Sequence, residues 1–157
     1  MKQLWETALL TLDDRLFFDL VRNYLGNIQS PYNKQRLVAE LGAWISKEEN
    51  KKTLIALLDD SDKKILAAVQ ELRSPSISGL SIYLSLDIPY SDLHDAVVSL
   101  EERLVLFRFR EDLKSHLAIN PLLLPDIMEN IDSHDLLFHS KPRPEKTDTG
   151  QGLPPFG

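Results

Sequence analysis

Residues 91–121 read SDLHDAVVSLEERLVLFRFREDLKSHLAINP, and this stretch decides the fold. Its first half keeps a helical period: Leu93, Val97 and Leu100 share one face, with Ala96 beside them. After Leu104 the period changes to two. Val105, Phe107 and Phe109 alternate with Leu106, Arg108 and Arg110, the pattern of a half-buried strand. Glu111-Asp112-Leu113-Lys114 is a polar break, and Leu117 and Ile119 then alternate with His116 and Ala118. Two short strands this close form a hairpin. The break has no glycine, so the expected loop is longer than two residues. Asn120-Pro121 then offers a cap followed by proline at the first helical position. Ser91 is the expected cap of the helix that opens the stretch.

Working toward the N-terminus, Asp59-Asp60-Ser61-Asp62 opens a helix whose core face is Ile65, Val69 and Leu72. Ser74-Pro75-Ser76 ends it. A short helix over about Ser78 to Leu86 follows, before the turn at Ile88-Pro89-Tyr90. Further upstream, Leu16, Leu20, Tyr24 and Ile28 recur every four residues, predicting a helix over about Asp13 to Ile28 with acids in its first turn. Trp5 to Leu12 can form a short helix of its own. Asn33 is placed to cap a helix carrying Leu37, Val38, Leu41 and Ile45. Ser46 to Glu49 has the Ser-x-x-Glu pattern of a capping box for the next helix, which ends near Leu58.

Helix, short helix, helix and hairpin, in that order over residues 58–120, resemble a winged helix-turn-helix domain. The resemblance implies that the helix from Ser91 to Arg103 corresponds to a recognition helix and that residues 105–119 correspond to a wing. A second resemblance lies upstream. Gly26-x7-Lys34-x-Arg36-Leu37-Val38-x-Glu40-Leu41 is similar to the second half of a SAP-like helix pair. A SAP-like start followed by a winged helix is similar to the N-terminal region of some XPB-type DNA helicases. Motor motifs are absent from the sequence, since it has no Gly-x4-Gly-Lys-Ser/Thr loop. The expected fold class is mainly α: an N-terminal helical region packed on a winged helix-turn-helix with one β-hairpin wing. The expected division is 1–57 for the SAP-like helical region, 58–138 for the winged helix with a helical extension, and 139–157 for a tail. The helical region and the winged helix are expected to share one core, because almost no linker separates them.

The chain has 157 residues, 18 Lys+Arg and 24 Asp+Glu, for a formal charge of −6. The charge is uneven: residues 1–57 are slightly basic, whereas 58–124 and 125–157 are acidic. A DNA-reading helix needs Arg, Lys, Asn or Gln toward a phosphate-lined groove. The candidate helix instead carries Asp92, Asp95, Glu101 and Glu102 against Arg103 alone. The leading expectation is a nucleic-acid-associated module of the transcription or helicase type that contacts DNA through the wing, by Arg108, Arg110 and Lys114, and through the basic N-terminal helices, by Lys34 and Arg36, with the acidic helix turned away. Lys47, Lys51 and Lys52 could extend that second group. Solvated strand and helix surfaces are the commoner account of such cations. The competing expectation is a protein–protein adaptor that meets a basic partner through Asp92, Asp95, Glu101 and Glu102. Trp44 is the aromatic residue expected to be partly exposed beside that function; Tyr32, Phe18 and Tyr90 are weaker candidates.

No catalytic constellation appears, and the expectation is a module that is not an enzyme and uses no cofactor. With no cysteine there is no disulfide, thiolate metal site or cysteine nucleophile. His94, His116, His134 and His139 lack metal-ligand spacing. Asp60-Ser61-Asp62 echoes a calcium loop but lacks its glycine and terminal glutamate, and reads as helix capping. No apolar run approaches the ~18 residues that span a bilayer, and no signal-peptide core opens the chain. No membrane association and a cytoplasmic location are therefore expected. From His139 onward the composition is rich in proline and glycine, which predicts a flexible tail or linker. The candidate partners are DNA and a protein, in the setting of a larger motor or transcription assembly.

Overall fold

The computed structural model describes residues 1–131. The helical extension beyond Ile131, His134, His139 and the proline-rich tail lie outside the described residues. Those described form eight helices and one antiparallel hairpin. Helices α1 (Lys2–Leu10), α2 (Asp14–Leu25), α3 (Lys34–Ile45) and α4 (Glu48–Ala56) come first. Helices α5 (Asp60–Glu71), α6 (Ile77–Tyr83) and α7 (Tyr90–Glu102) follow, then strands β1 (Leu106–Glu111) and β2 (Lys114–Ile119), and finally α8 (Leu124–Glu129). The protein is thus mainly helical with one β-hairpin.

Local chemistry explains most boundaries. The Asp13 side chain accepts from Leu16 N–H, and Gly26 ends α2 with φ +79°, a conformation that favours glycine. That helix stops three residues short of the predicted Ile28. Asn33 caps α3 by accepting from Arg36 N–H, as expected. The capping box is elsewhere than predicted. Ser46 Oγ turns back to donate to Gly42 O at 2.9 Å, and Lys47 is the N-cap of α4 with no side-chain bond. The reciprocal pair is Asp59 and Asp62: Asp62 N–H donates to Asp59 Oδ1 at 2.7 Å and Asp59 N–H to Asp62 Oδ2 at 3.2 Å. Ser76 caps α6. Ser91, expected to cap α7, lies inside that helix, and Pro89 stands at the N-cap without a side-chain bond.

The hairpin closes more tightly than its composition suggests. Pairing runs from Leu106↔Ile119 to Glu111↔Lys114, leaving a two-residue turn, Asp112-Leu113, with φ +53° and +65°. Both signs are those of the primed turns that match strand twist. Glycine is absent, but the ladder and the buried base outweigh the local steric cost. Arg110 Nη2 also donates to Leu113 O at 3.2 Å. The expected alternation along β1 is replaced by a gradient. Val105, Leu106 and Phe107 are all buried, while Arg110 and Glu111 are exposed, because α1 and α7 both pack on β1. A third line of backbone flanks the hairpin: Leu117 N–H donates to Pro75 O at 2.8 Å, and His116 Nδ1 lies 3.1 Å from Ser74 O.

One apolar cluster joins the N-terminal helices to the hairpin. Trp5 is 1% exposed, and its ring lies against Gly42 of α3, as does Leu122. Asn120 fastens the base of the hairpin. It is fully buried, donates through Nδ2 to Leu104 O at 2.8 Å and accepts at Oδ1 from Leu122 N–H at 2.9 Å. Its own N–H donates to Val105 O. Asn120 therefore caps a turn rather than α8 itself, which begins at Leu124 with Pro125 in its first turn.

Candidate interaction surface

The expected cation sites are mostly engaged within the molecule. Arg108, on β1, forms a forked pair with Glu101 of α7: Nε donates to Oε2 at 2.9 Å and Nη2 to Oε1 at 3.1 Å. This bidentate geometry matches guanidinium to carboxylate. It removes one residue from each of the two candidate sites. Lys34 is one-quarter exposed, with Nζ 3.1 Å from Asp14 Oδ1 and 4.8 Å above the Phe17 ring. It ties the start of α3 to α2. Arg36 pairs with Glu40 one turn along α3 at 3.0 Å. Lys51 bridges Glu48 and Asp126, both at 3.3 Å, so joining α4 to α8; these bonds raise its pKa above the ordinary lysine value. Among the candidates the exposed side chains of Lys47, Lys52 and Lys114 have no partner among the described residues; Lys114 stands beside the turn.

The acidic residues are placed differently. Asp92, Asp95 and Glu102 point into solvent on α7, whereas Leu93, Val97 and Leu100 of the same helix are buried. Arg103, the cation nearest to them in sequence, is turned inward. Its Nη2 donates to Asp62 Oδ2 at 3.1 Å, while Nε and Nη1 reach Ser99 O and Leu57 O at 3.4 Å. Asp62 is buried, so one carboxylate serves both a helix cap and this ion pair. Nothing in the local sequence pattern revealed that pair, since its members stand 41 residues apart. Tyr24 joins the same region, donating its hydroxyl to Glu102 O at 2.7 Å. Burial raises its pKa above the usual tyrosine value; Arg103 opposes that shift and Glu102 adds to it.

Between Arg73 and Arg103 the chain carries five carboxylates and no lysine or arginine. The same span holds Ile82 (76% exposed), Leu86 (82%) and Tyr90 (56%). They follow one another at four-residue intervals through the α6–α7 corner. Trp44, expected to be partly exposed, is half-buried on α3 and packs against Tyr24, with ring centroids 5.3 Å apart. Tyr90 and Tyr32 are the more exposed aromatics. Phe18 is held against Phe17 and Tyr32. Sequence reasoning passed over Ile82 and counted Leu86 with Leu80, Tyr83 and Leu84 as the apolar residues of the short helix, whereas Leu86 is exposed. Helical periodicity alone marks Ile82 and Leu86 as apolar, and only the packing shows that neither meets the core.

No group of three or more His, Asp or Glu side chains among the described residues could hold a metal ion. No described helix is long and apolar enough to cross a membrane. In the comparison with known families, the model of the family TP_0021_N, described as an N-terminal domain, matches residues 1–46. The match takes in α1, α2 and α3 and stops before the α6–α7 corner. No curated protein and no solved structure matches the chain.

Proposed function

We propose that the chain is a non-catalytic interaction module of winged-helix type that binds a protein with a basic surface through the exposed acidic face of α7. The order α5, α6, α7 and hairpin supports the winged-helix comparison, as does the backbone of Ser74 and Pro75 running beside β2. The observation that carries the choice of partner is the fate of the cations. Arg108, Lys34 and Arg36 are each paired with a carboxylate of this chain, while Asp92, Asp95 and Glu102 remain in solvent with no cation paired to them among the described residues. Phosphate approaching α7 would meet uncompensated negative charge. A basic partner gains there both in attraction and in rate of encounter.

Arg110 and Lys114 favour a second reading. They sit exposed at the hairpin tip and could meet a nucleic-acid backbone in a transcription or helicase assembly. One pair of experiments separates the readings. Labelled duplex and single-stranded DNA are titrated at ~50 mM salt, where phosphate contacts are strong, and again at ~200 mM. In parallel, partners are captured with the wild type and with the triple variant Asp92→Asn, Asp95→Asn, Glu102→Gln. Glu101 is left intact because it holds Arg108. The protein-binding reading expects no DNA binding and loss of the captured partner in the triple variant. DNA binding that Arg110→Ala and Lys114→Ala weaken, with capture unchanged, would overturn it.

A further inference from the structure

Of the nine large apolar residues exposed in the described chain, Met1, Leu16, Tyr32, Leu57 and Leu113 are scattered over five separate segments. The remaining four, Ile82, Leu86, Tyr90 and Val98, fall within 17 consecutive positions of α6, α7 and the corner between them. Isolated exposed apolar side chains are ordinary, whereas a cluster rimmed by polar groups marks an interface. The corner is built firmly enough to present them. Leu84 N–H donates to Leu80 O at 3.0 Å and Ile88 N–H to Leu84 O at 2.9 Å, while Leu80, Leu84, Ile88 and Leu93 are buried beneath. Pro89 then holds an extended ψ of 151° before α7 begins. The Tyr90 ring rests edge-on against His94, with centroids 6.2 Å apart. Asp87 lies within the corner, and Asp92 and Asp95 occupy the first turns of α7.

We infer that the α6–α7 corner is a docking site for a cationic amphipathic helix, whose apolar stripe covers Ile82, Leu86 and Tyr90 while its flanking lysines or arginines meet Asp87, Asp92 and Asp95. The inference rests on the protein-binding reading above and names the chemistry of the partner. Charge complementarity selects the occupant. The corner offers carboxylates and no cation from position 74 to 102, so an acidic or neutral helix would leave them uncompensated. The apolar anchors exclude a purely electrostatic partner, since they gain only when an apolar surface removes them from water. An amphipathic helix sets an apolar stripe between rows of charge, with neighbours at three- and four-residue spacing.

The test uses the full 157-residue chain and three synthetic probes: a Leu/Lys peptide patterned as an amphipathic helix, an oligolysine of equal charge, and a Leu/Glu peptide of the same pattern. Binding is read by fluorescence anisotropy and mapped by amide chemical shifts. The Leu/Lys peptide is expected to bind and to shift the amides of Ile82, Leu86, Tyr90 and Asp92. Ile82→Ser with Leu86→Ser should weaken it at least ~10-fold. Both side chains are exposed, so the fold survives, as far-UV circular dichroism verifies. Oligolysine should bind at least ~10-fold more weakly, and the Leu/Glu peptide should not bind. Equal binding of oligolysine and Leu/Lys, unaffected by the serine variants, overturns the inference and leaves the acidic-face reading standing. So does an absence of shifts at the corner while the Asp92/Asp95/Glu102 variant still loses its captured partner. If neither the peptide nor the partner depends on this face, both fail. Concentration-dependent self-association abolished by Leu86→Ser would make a second copy the occupant, and would equally overturn the proposal.

Discussion

Leu113 stands 89% exposed at φ +65°, in a turn where glycine is the natural occupant. A side chain in the left-handed region costs roughly 1–2 kcal/mol. Leu113→Gly is therefore expected to raise the unfolding midpoint, in a measurement by thermal or urea denaturation. Asn120 lies at the opposite extreme. It is fully buried, and its side chain and N–H make three hydrogen bonds at the hairpin base. Replacing it with alanine strands the buried Leu104 carbonyl, at an expected cost of about 1–3 kcal/mol. Leu104 itself sits at φ +66°, so the asparagine also secures a backbone conformation that leucine does not adopt readily. Tyr24 provides a pH signature. Its folded pKa is raised, so the folded state keeps the phenolic proton after the unfolded state would lose it. Its contribution to stability is complete below the unfolded value near 10 and disappears as pH rises through the folded value. Absorbance titration should show one late phenolate that Tyr24→Phe removes.

At the scale of elements, capping discriminates between two stretches that look alike in one dimension. Ser46-x-x-Glu49 and Asp59-x-x-Asp62 both carry an acceptor and an acid three residues on. Only the second forms the reciprocal pair. Asp59→Ala is expected to destabilise by about 1 kcal/mol, whereas Glu49→Ala should fall within about 0.5 kcal/mol of wild type. Equal effects in chemical denaturation would contradict the assignment. The reason for the difference is tertiary. At the end of α3, Ser46 finds a nearer acceptor in the carbonyl of Gly42, and α4 starts one residue later than the pattern implies. Asp62 is held by Arg103 from α7, which fixes the side chain in its capping rotamer. Most helices were legible from periodicity and proline breaks, because amphipathic stripes are local. The two-residue turn was not, because glycine-free primed turns depend on strands that are already paired.

For the whole molecule, α1 does more than precede the segment from α5 to β2. Trp5 lies against Gly42 of α3, where Leu122 from the turn after β2 also packs, and α1 packs along β1. The two regions distinguished by composition should therefore unfold together. Trp5→Ala is expected to cost about 3–5 kcal/mol, a large share of the ~5–15 kcal/mol of a typical domain. The far-UV signal and the emission of the remaining Trp44 should then move in one shared, earlier transition. Separate midpoints would show that residues 1–57 fold independently.

The sequence by itself determined the succession of helices, the hairpin, the shortage of cations between Arg73 and Arg103, and the acidic character of α7. These follow from local periodicity and from charge, which need no knowledge of neighbours in space. Only the tertiary structure decided which charges remain available. Arg108 and Glu101 lie in elements of different period, yet a forked contact pairs them with each other. Lys34 and Arg103 likewise turn toward partners 20 and 41 residues away. The structure also decided that Ile82 and Leu86 face outward beside Leu84 and Ile88, which face inward. A short helix and a turn leave too few residues for periodicity to distinguish the two sides; packing against α7 and the hairpin makes that choice.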